Sequence, residues 1–227
     1  MHIPDGILNP YACIVMFGIS LIFLIWAWKT ARQRMPRVFI PLAATMSAVI
    51  LIVQMIEFPV AGGGSTWHIM GGTLVTMILG PSGAIISSTI VLIIQALAFG
   101  DGGITSFGAN VFNMAVIGAS SFFVVKFIVN GCSSKKRLGI ALFIAAWLSN
   151  ILTALAVGIE IGVAPMVGTL GGITVTVPSM LLWYVPTGLI EALFTVSLVL
   201  SLSRVSPTKL LGLSMLCESR KNPSKKD

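Results

Sequence analysis

Long apolar runs dominate this sequence and leave little room for a soluble fold. Of its 227 residues, 56% are hydrophobic and only 9% are charged, whereas soluble domains carry about 25% charged residues. A helix needs about 20 mainly apolar residues to cross a bilayer. We therefore predict an all-α membrane protein, because a spanning helix satisfies all of its own backbone hydrogen bonds.

Glycine, proline and basic residues divide the apolar sequence into seven predicted transmembrane helices. They cover residues 7–28, 39–58, 67–79, 84–99, 104–129, 138–159 and 180–202. The third span is short, and "GPSG" (residues 80–83) predicts a turn between it and the fourth. We expect a single transmembrane helical domain over residues 1–205 and a basic cytoplasmic tail over residues 206–227.

The basic residues predict how these spans are oriented. Cytoplasmic loops carry an excess of lysine and arginine, and the loop after the first span is rich in both: Lys29, Arg32, Arg34 and Arg37. Seven alternating spans then place all 14 basic residues in the cytoplasm. The amino terminus is expected outside and the carboxyl terminus inside. The cytoplasmic bias of these scattered residues also explains the net charge of +7, so we expect no nucleic-acid partner.

The predicted orientation places both histidines of the chain, His2 and His68, at the external side. A residue as large as His2 disfavours removal of Met1, so we expect a free α-amine beside it. That amine, the His2 amide and His2 Nδ1 can close two nearly unstrained chelate rings on one metal ion. His68, which follows a triple glycine that permits a tight loop, would supply a fourth nitrogen.

Such a planar nitrogen set favours Cu(II) or Ni(II). The alternative is structural: His2 would be an interfacial residue and His68 would merely begin a helix. The three cysteines lie far apart and form no CxxC motif, so neither a disulfide nor a cysteine metal site is expected from Cys13, Cys132 and Cys217.

Three motifs resemble the NikM/CbiM family, the membrane substrate-binding (S) components of energy-coupling factor (ECF) transporters for nickel or cobalt. They are "MHIPDGIL", "GGGSTWHIMGG" and "FGDGGITSFGANVFNMAVIG". The resemblance covers nearly the whole chain. It implies a six-helix core with an extra amino-terminal helix, and a metal held by Met1, His2 and His68.

The resemblance also implies a function and partners. The chain would capture Ni(II) or Co(II) outside the cell and deliver it across the inner membrane. The expected partners are a transmembrane coupling protein, cytoplasmic ATPase subunits and a small accessory membrane subunit. Ala44 and Ala48, a pair of small residues that permits close helix approach, would meet the coupling protein. Packing within the bundle is the alternative for this pair.

Other polar residues near the external end are candidates to support the metal ligands. A ligating imidazole usually donates its second N–H to a carboxylate, carbonyl or water. The candidates for this role are Ser65, Gln95, Asp101, Asn110 and Asn113. A turn at Asp101 and interhelical hydrogen bonds from the two asparagines are the structural alternatives.

Two rival functions are a stand-alone secondary metal carrier and an intramembrane protease. The sequence has no phosphate-binding GxxxxGK[ST] loop, so energy must come from partners or from an ion gradient. A stand-alone secondary metal carrier would need an ion-coupled residue, for which Glu191 is the candidate. "GPSG" matches the GxSG pattern of intramembrane serine proteases, but Ser82 and His68 fall at opposite faces. We therefore predict that the chain is not an enzyme.

Overall fold

The computed structural model describes residues 1–34, 36–37, 39–59, 66–129, 134–166, 168, 171–205 and 210–221. The described chain is almost entirely helical. Its α-helices are α1 (Pro10–Arg34), α2 (Phe39–Gln54), α3 (Gly72–Ile94), α4 (Phe107–Asn110), α5 (Ile117–Val129), α6 (Lys135–Val163), α7 (Ile173–Val205) and α8 (Leu211–Lys221). Two π-helical segments, Gln95–Phe99 and Val111–Val116, continue α3 and join α4 to α5. Short antiparallel strands β1 (Phe58–Pro59) and β2 (Thr66–Trp67) pair before α3.

Five helices of the described chain are long and apolar enough to cross a membrane. They are Pro10–Gln33, Gly72–Phe99, Phe107–Val129, Lys135–Val163 and Ile173–Val205, and the shorter apolar helix Phe39–Gln54 adds to them. The prediction of a nearly all-helical membrane protein is thereby confirmed. The predicted third and fourth spans form one element, Gly72–Phe99, which is interrupted at a single residue.

That interruption is a reversal of the chain at Gly80. Gly80 has φ 74° and ψ 169°, a backbone region that is essentially restricted to glycine. A straight helix from residue 71 to residue 95 would be about 36 Å long. Gln54 nevertheless hydrogen-bonds both the Met70 carbonyl and the Gln95 side chain. The two arms, residues 72–79 and 81–99, therefore fold back on each other, and the turn predicted at "GPSG" is confirmed.

Small residues allow the helices of the bundle to pack closely against one another. A Cβ on Gly72 would lie 2.9 Å from the Gly118 Cα, so α3 and α5 are in backbone contact there. A Cβ on Gly108 would collide with the backbone of Phe17, and Ser20 Oγ donates a 2.6 Å hydrogen bond to the Gly108 carbonyl. The amino-terminal helix α1 is thus held against α4, while most of its surface stays exposed.

The last helix, α8, lies within the region predicted as a basic tail. Leu210 and Leu216 are buried in the same hydrophobic cluster as the first arm of α3. Gly212 meets the carbonyl oxygens of Thr76 and Met77 so closely that a side chain there would collide with them. Residues 210–216 are therefore packed onto the bundle beside the Gly80 turn. Residues 206–209 and 222–227 of the predicted tail lie outside the described residues.

Candidate metal centre

The first nine residues form a non-helical segment that enters one end of the bundle. Ile3 is 1% exposed, and its backbone forms a paired contact with the Asn110 side chain. The Ile3 N–H donates to Asn110 Oδ1 at 2.8 Å, and Asn110 Nδ2 donates to the Ile3 carbonyl at 3.0 Å. The N–H of Gly103 donates to the same carbonyl at 2.9 Å. These bonds fix the chain immediately after Met1 and His2.

Asp5 fixes the next turn of the same segment. Its carboxylate accepts hydrogen bonds from the backbone N–H groups of Ile104 at 3.0 Å and Thr105 at 2.7 Å. The Thr105 hydroxyl also donates to it, and this side-chain hydrogen bond is the main reason why the pKa of Asp5 is lowered. The motif "GDGGITS" (residues 100–106) therefore wraps around the amino terminus.

This arrangement brings the predicted nitrogen donors together. The Met1 amine nitrogen lies 3.2 Å from His68 Nε2. The rings of His2 and His68 are stacked with centroids 5.0 Å apart and planes inclined by 27°. Adjacent nitrogens that share a metal ion through bonds of about 2 Å lie about 2.8 Å apart. The observed amine-to-imidazole distance thus requires only a small adjustment to accommodate one ion.

Burial keeps these nitrogens in the neutral form that binds a metal. Desolvation lowers the pKa of the Met1 amine to about 6 and that of His2 to about 3. It also lowers the pKa of His68 well below its ordinary value. A metal competes with protons for a nitrogen lone pair, so a neutral donor costs no proton at neutral pH. The Asp101 carboxylate acts in the opposite direction on the amine, but its effect is smaller.

The polar surroundings of His2 are incomplete. Its Nε2 lies 3.4 Å from Asp101 Oδ2, but neither atom forms an aligned hydrogen bond with a described residue, and the same holds for His2 Nδ1. Burial raises the pKa of Asp101. A neutral ring with two buried, unpartnered nitrogens beside a carboxylate is suited to bind a cation through one nitrogen and to donate through the other.

The other predicted supporting residues occupy different places. Asn110 holds Ile3, as described above. Gln95 is fully buried, and its side-chain Nε2 donates to Gln54 Oε1 at 3.0 Å. The backbone carbonyl of Gln95 accepts a hydrogen bond from the Asp101 N–H. Asn113 instead donates to Glu160 Oε2 at 2.7 Å. Ser65 and the triple glycine lie outside the described residues, and Ala44 and Ala48 are exposed on α2.

No group of three or more histidine, cysteine, aspartate or glutamate side chains in the described chain is arranged to hold a metal ion. A metal centre at this place would therefore have to use main-chain nitrogens together with the two imidazoles. Those nitrogens are the ones that the sequence predicts as ligands. Sequence reasoning missed Asp5, and it missed Gly102 and Gly103, which line the amino-terminal segment. The consecutive glycines beside Asp101 were the available signal.

The chain is similar to known nickel and cobalt transport proteins. Residues 2–209 match the family model described as "CbiM: Cobalt uptake substrate-specific transmembrane region". The fused nickel transport protein NikMN of Rhodobacter capsulatus is 33% identical over 227 residues, which cover 92% of this chain and 64% of that protein. The cobalt transport protein CbiM of Lachnoclostridium phytofermentans is 28% identical and covers 95% of this chain and 87% of its own length.

A crystal structure of a transition metal transporter has the same fold. It superposes with a TM-score of 0.81 at 30% sequence identity, covering 99% of this chain and all of that one. The chain spans about two thirds of the length of the fused nickel transport relatives that it matches. With a family match along almost its whole length, the chain belongs to the CbiM/NikM family of nickel and cobalt transport proteins.

Proposed function

We propose that the chain is the substrate-specific binding component of an ATP-driven importer and captures Ni(II) or Co(II) at Met1, His2 and His68. The observation that carries the proposal is the approach of the Met1 amine to His68 Nε2 at 3.2 Å, with the His2 ring stacked on that of His68. Residues 67 apart in the sequence meet there through nitrogen atoms.

The donor set favours a particular class of metal. The amine, the His2 amide, the His2 imidazole and the His68 imidazole are four nitrogens, and tetragonal nitrogen sites suit Ni(II) and Cu(II). Coordination by the amide requires a metal able to displace its proton, which Zn(II), Mg(II) and Ca(II) do poorly. Nickel and cobalt are named as the substrates of the relatives described above.

The proposal includes a topology for the inner membrane. Counting the two arms of the α3 hairpin separately gives seven membrane-embedded segments, with the amino terminus and the metal centre outside and the carboxyl terminus in the cytoplasm. The charge distribution supports this orientation, because it leaves all 14 basic residues on the cytoplasmic side. Residues 1–205 would form the transmembrane domain and residues 206–227 its cytoplasmic end.

Energy for inward delivery would come from partners. A transmembrane coupling protein, ATPase subunits and a small accessory membrane subunit would act on this chain, as in the ECF systems of its family. The rival secondary carrier needs an ion-coupled residue, and Glu191 was its candidate. Both carboxylate oxygens of Glu191 accept backbone hydrogen bonds, which favours the partner-driven mechanism.

A metal titration tests the proposed site. Purified protein with a free Met1 amine is titrated with Ni(II), and the affinity, the stoichiometry and the visible absorption band are recorded. We expect one tightly bound Ni(II) per chain with the band of a planar nitrogen site. His68→Ala removes one of four donors and should weaken binding at least about tenfold.

Acetylation confined to the Met1 amine is a second test of the site, because it removes a different donor and leaves every side chain unchanged. It should weaken binding at least as strongly as His68→Ala. Unmodified protein that binds no Ni(II) or Co(II), or that binds it equally well after both changes, would refute the proposed site.

A further inference from the structure

Glu191 is a buried carboxylate far from the metal donors in sequence, yet it holds the segment that carries one of them. It lies in the middle of α7 and is 1% exposed. Its Oε2 accepts the Met70 N–H at 3.0 Å, and its Oε1 accepts the Gly71 N–H at 2.9 Å. Both oxygens thus bind consecutive backbone groups in front of α3, where the helix dipole favours a negative charge.

The same segment is held from its other side by α2. Gln54 Nε2 donates to the Met70 carbonyl at 2.8 Å, and Gln54 Oε1 accepts from Gln95 Nε2 at 3.0 Å. Gly71 has φ +70°, and a Cβ there would lie 2.5 Å from Ile50 Cδ1. Residues 67–71, which we call the His68 segment, are therefore clamped between α7 and α2.

The clamp acts within two residues of a metal donor. Met70 follows His68 by two positions, and His68 Nε2 faces the Met1 amine at 3.2 Å. The ring of His68 has one further polar contact in the described chain, a 3.4 Å approach of Nδ1 to the Ile69 carbonyl. The position of the imidazole is thus determined mainly by the backbone of its segment.

A buried carboxylate is costly unless hydrogen bonds compensate it, so its presence at this place calls for a reason. We propose that Glu191, with Gln54 opposite it, is a positioning residue that places His68 for metal binding without touching the metal. This inference rests on the proposed function of the site. It gives the mid-membrane carboxylate a role in substrate affinity.

The test is a double-mutant cycle measured by Ni(II) affinity. In Glu191→Gln, one amide oxygen still accepts, but the NH₂ group faces a backbone N–H, so one of the two donors loses its partner. We expect E191Q to weaken Ni(II) binding about tenfold or more and to perturb the visible absorption band. In an H68A background the same substitution should change the affinity by less than about twofold.

Glu160→Gln is the matched control. Glu160 is also a carboxylate on a membrane helix, but it binds the Asn113 side chain and not the His68 segment. E160Q should leave the Ni(II) affinity within about twofold of the wild type. A general loosening of the bundle would instead make both glutamate variants weaker, and would make E191Q equally harmful with and without His68.

If E191Q does not fold, Gln54→Met tests the same positioning role, because Gln54 holds the His68 segment from α2. It keeps a similar volume but removes the donor to the Met70 carbonyl, and the same dependence on His68 is expected. Wild-type affinity in a folded E191Q or, failing that, in Q54M would overturn the positioning role while leaving the proposed function intact. Wild-type protein that binds no metal would overturn both.

Discussion

At the scale of single residues, the candidate centre depends on an amino terminus that is folded into the protein. Asn110 and Gly103 hold the backbone of Ile3, so the Met1 amine and the His2 ring are directed toward His68. The chemistry of a free amine beside a histidine is visible in the sequence. The contacts that immobilise it are not, because they join residues about 100 positions apart.

Gly102 gives the most local test of this arrangement. Its φ is +89°, and a Cβ there would lie 3.3 Å from His2 Nδ1 and 3.2 Å from Asn110 Nδ2. Gly100 has φ +66° with nothing within 4 Å of its added Cβ. Alanine at either position should lower the free energy of unfolding by about 1–2 kcal/mol.

We expect only G102A to weaken Ni(II) binding, by about tenfold or more, since only its methyl group presses on His2. Thermal unfolding and Ni(II) titration of both variants separate backbone strain from the effect on the site. Equal affinities in the two alanine variants would contradict the placement of His2.

The dependence of binding on pH tests the participation of the amide and the amine. Metal coordination by the His2 amide releases one proton, and below the amine pKa of about 6 a second proton must leave Met1. Burial lowers the pKa of His2 to about 3 and lowers that of His68 well below its ordinary value.

The logarithm of the Ni(II) association constant should therefore rise with pH with a slope of at least about two just below pH 6 and of about one above it. Competition titrations in a series of buffers measure these slopes. A slope of zero above pH 6 would show that the amide keeps its proton and is not a ligand.

At the scale of elements, the α3 hairpin begins directly after the His68 segment and brings the chain back to Gln95, which bonds the same Gln54 side chain as Met70. Its turn was predictable from "GPSG", because glycine and proline interrupt an apolar run at that point. The π-helical segments and the anchoring of Met70 and Gly71 by Glu191 were not predictable. They depend on tertiary contacts, and Glu191 lies 120 residues from Gly71.

Gly80→Ala tests the hairpin directly. The glycine-only backbone conformation predicts a loss of about 1–3 kcal/mol in the free energy of unfolding. Gly139→Ala is the control, because Gly139 is helical and its added Cβ would make an ordinary contact of 3.5 Å with Leu200. Unfolding in detergent should show a loss for G80A and none for G139A, and equal stability of the two would argue against a reversal at Gly80.

At the scale of the whole molecule, α2 connects an exposed surface of the protein to the candidate metal centre. Its buried face carries Ile50 and Gln54 against the His68 segment, whereas Ala44 and Ala48 are exposed on the same helix. The composition predicted the membrane class, and the family motifs predicted the candidate ligands that the proposal uses. The link that α2 forms between its exposed alanines and the His68 segment was not predictable from the sequence, because it depends on how the helices pack.

Leucine at both Ala44 and Ala48 should block the proposed contact with the coupling protein. Added bulk in a close helix contact costs about 1–3 kcal/mol, so we expect Ni(II) uptake with the partner subunits to fall about tenfold or more. The Ni(II) affinity of the isolated chain should not change. Val49→Leu, at an exposed neighbouring position, is the control, and unimpaired uptake by the double variant would exclude this surface as the contact.

The central claim is the identity of the donor atoms, and nickel K-edge X-ray absorption of the protein loaded with one equivalent of Ni(II) tests it most directly. Our account predicts four nitrogen donors in one plane, with one of them lost in H68A. An octahedral shell dominated by oxygen, a sulfur donor from Met1 or Cys13, or a spectrum unchanged in H68A would contradict it.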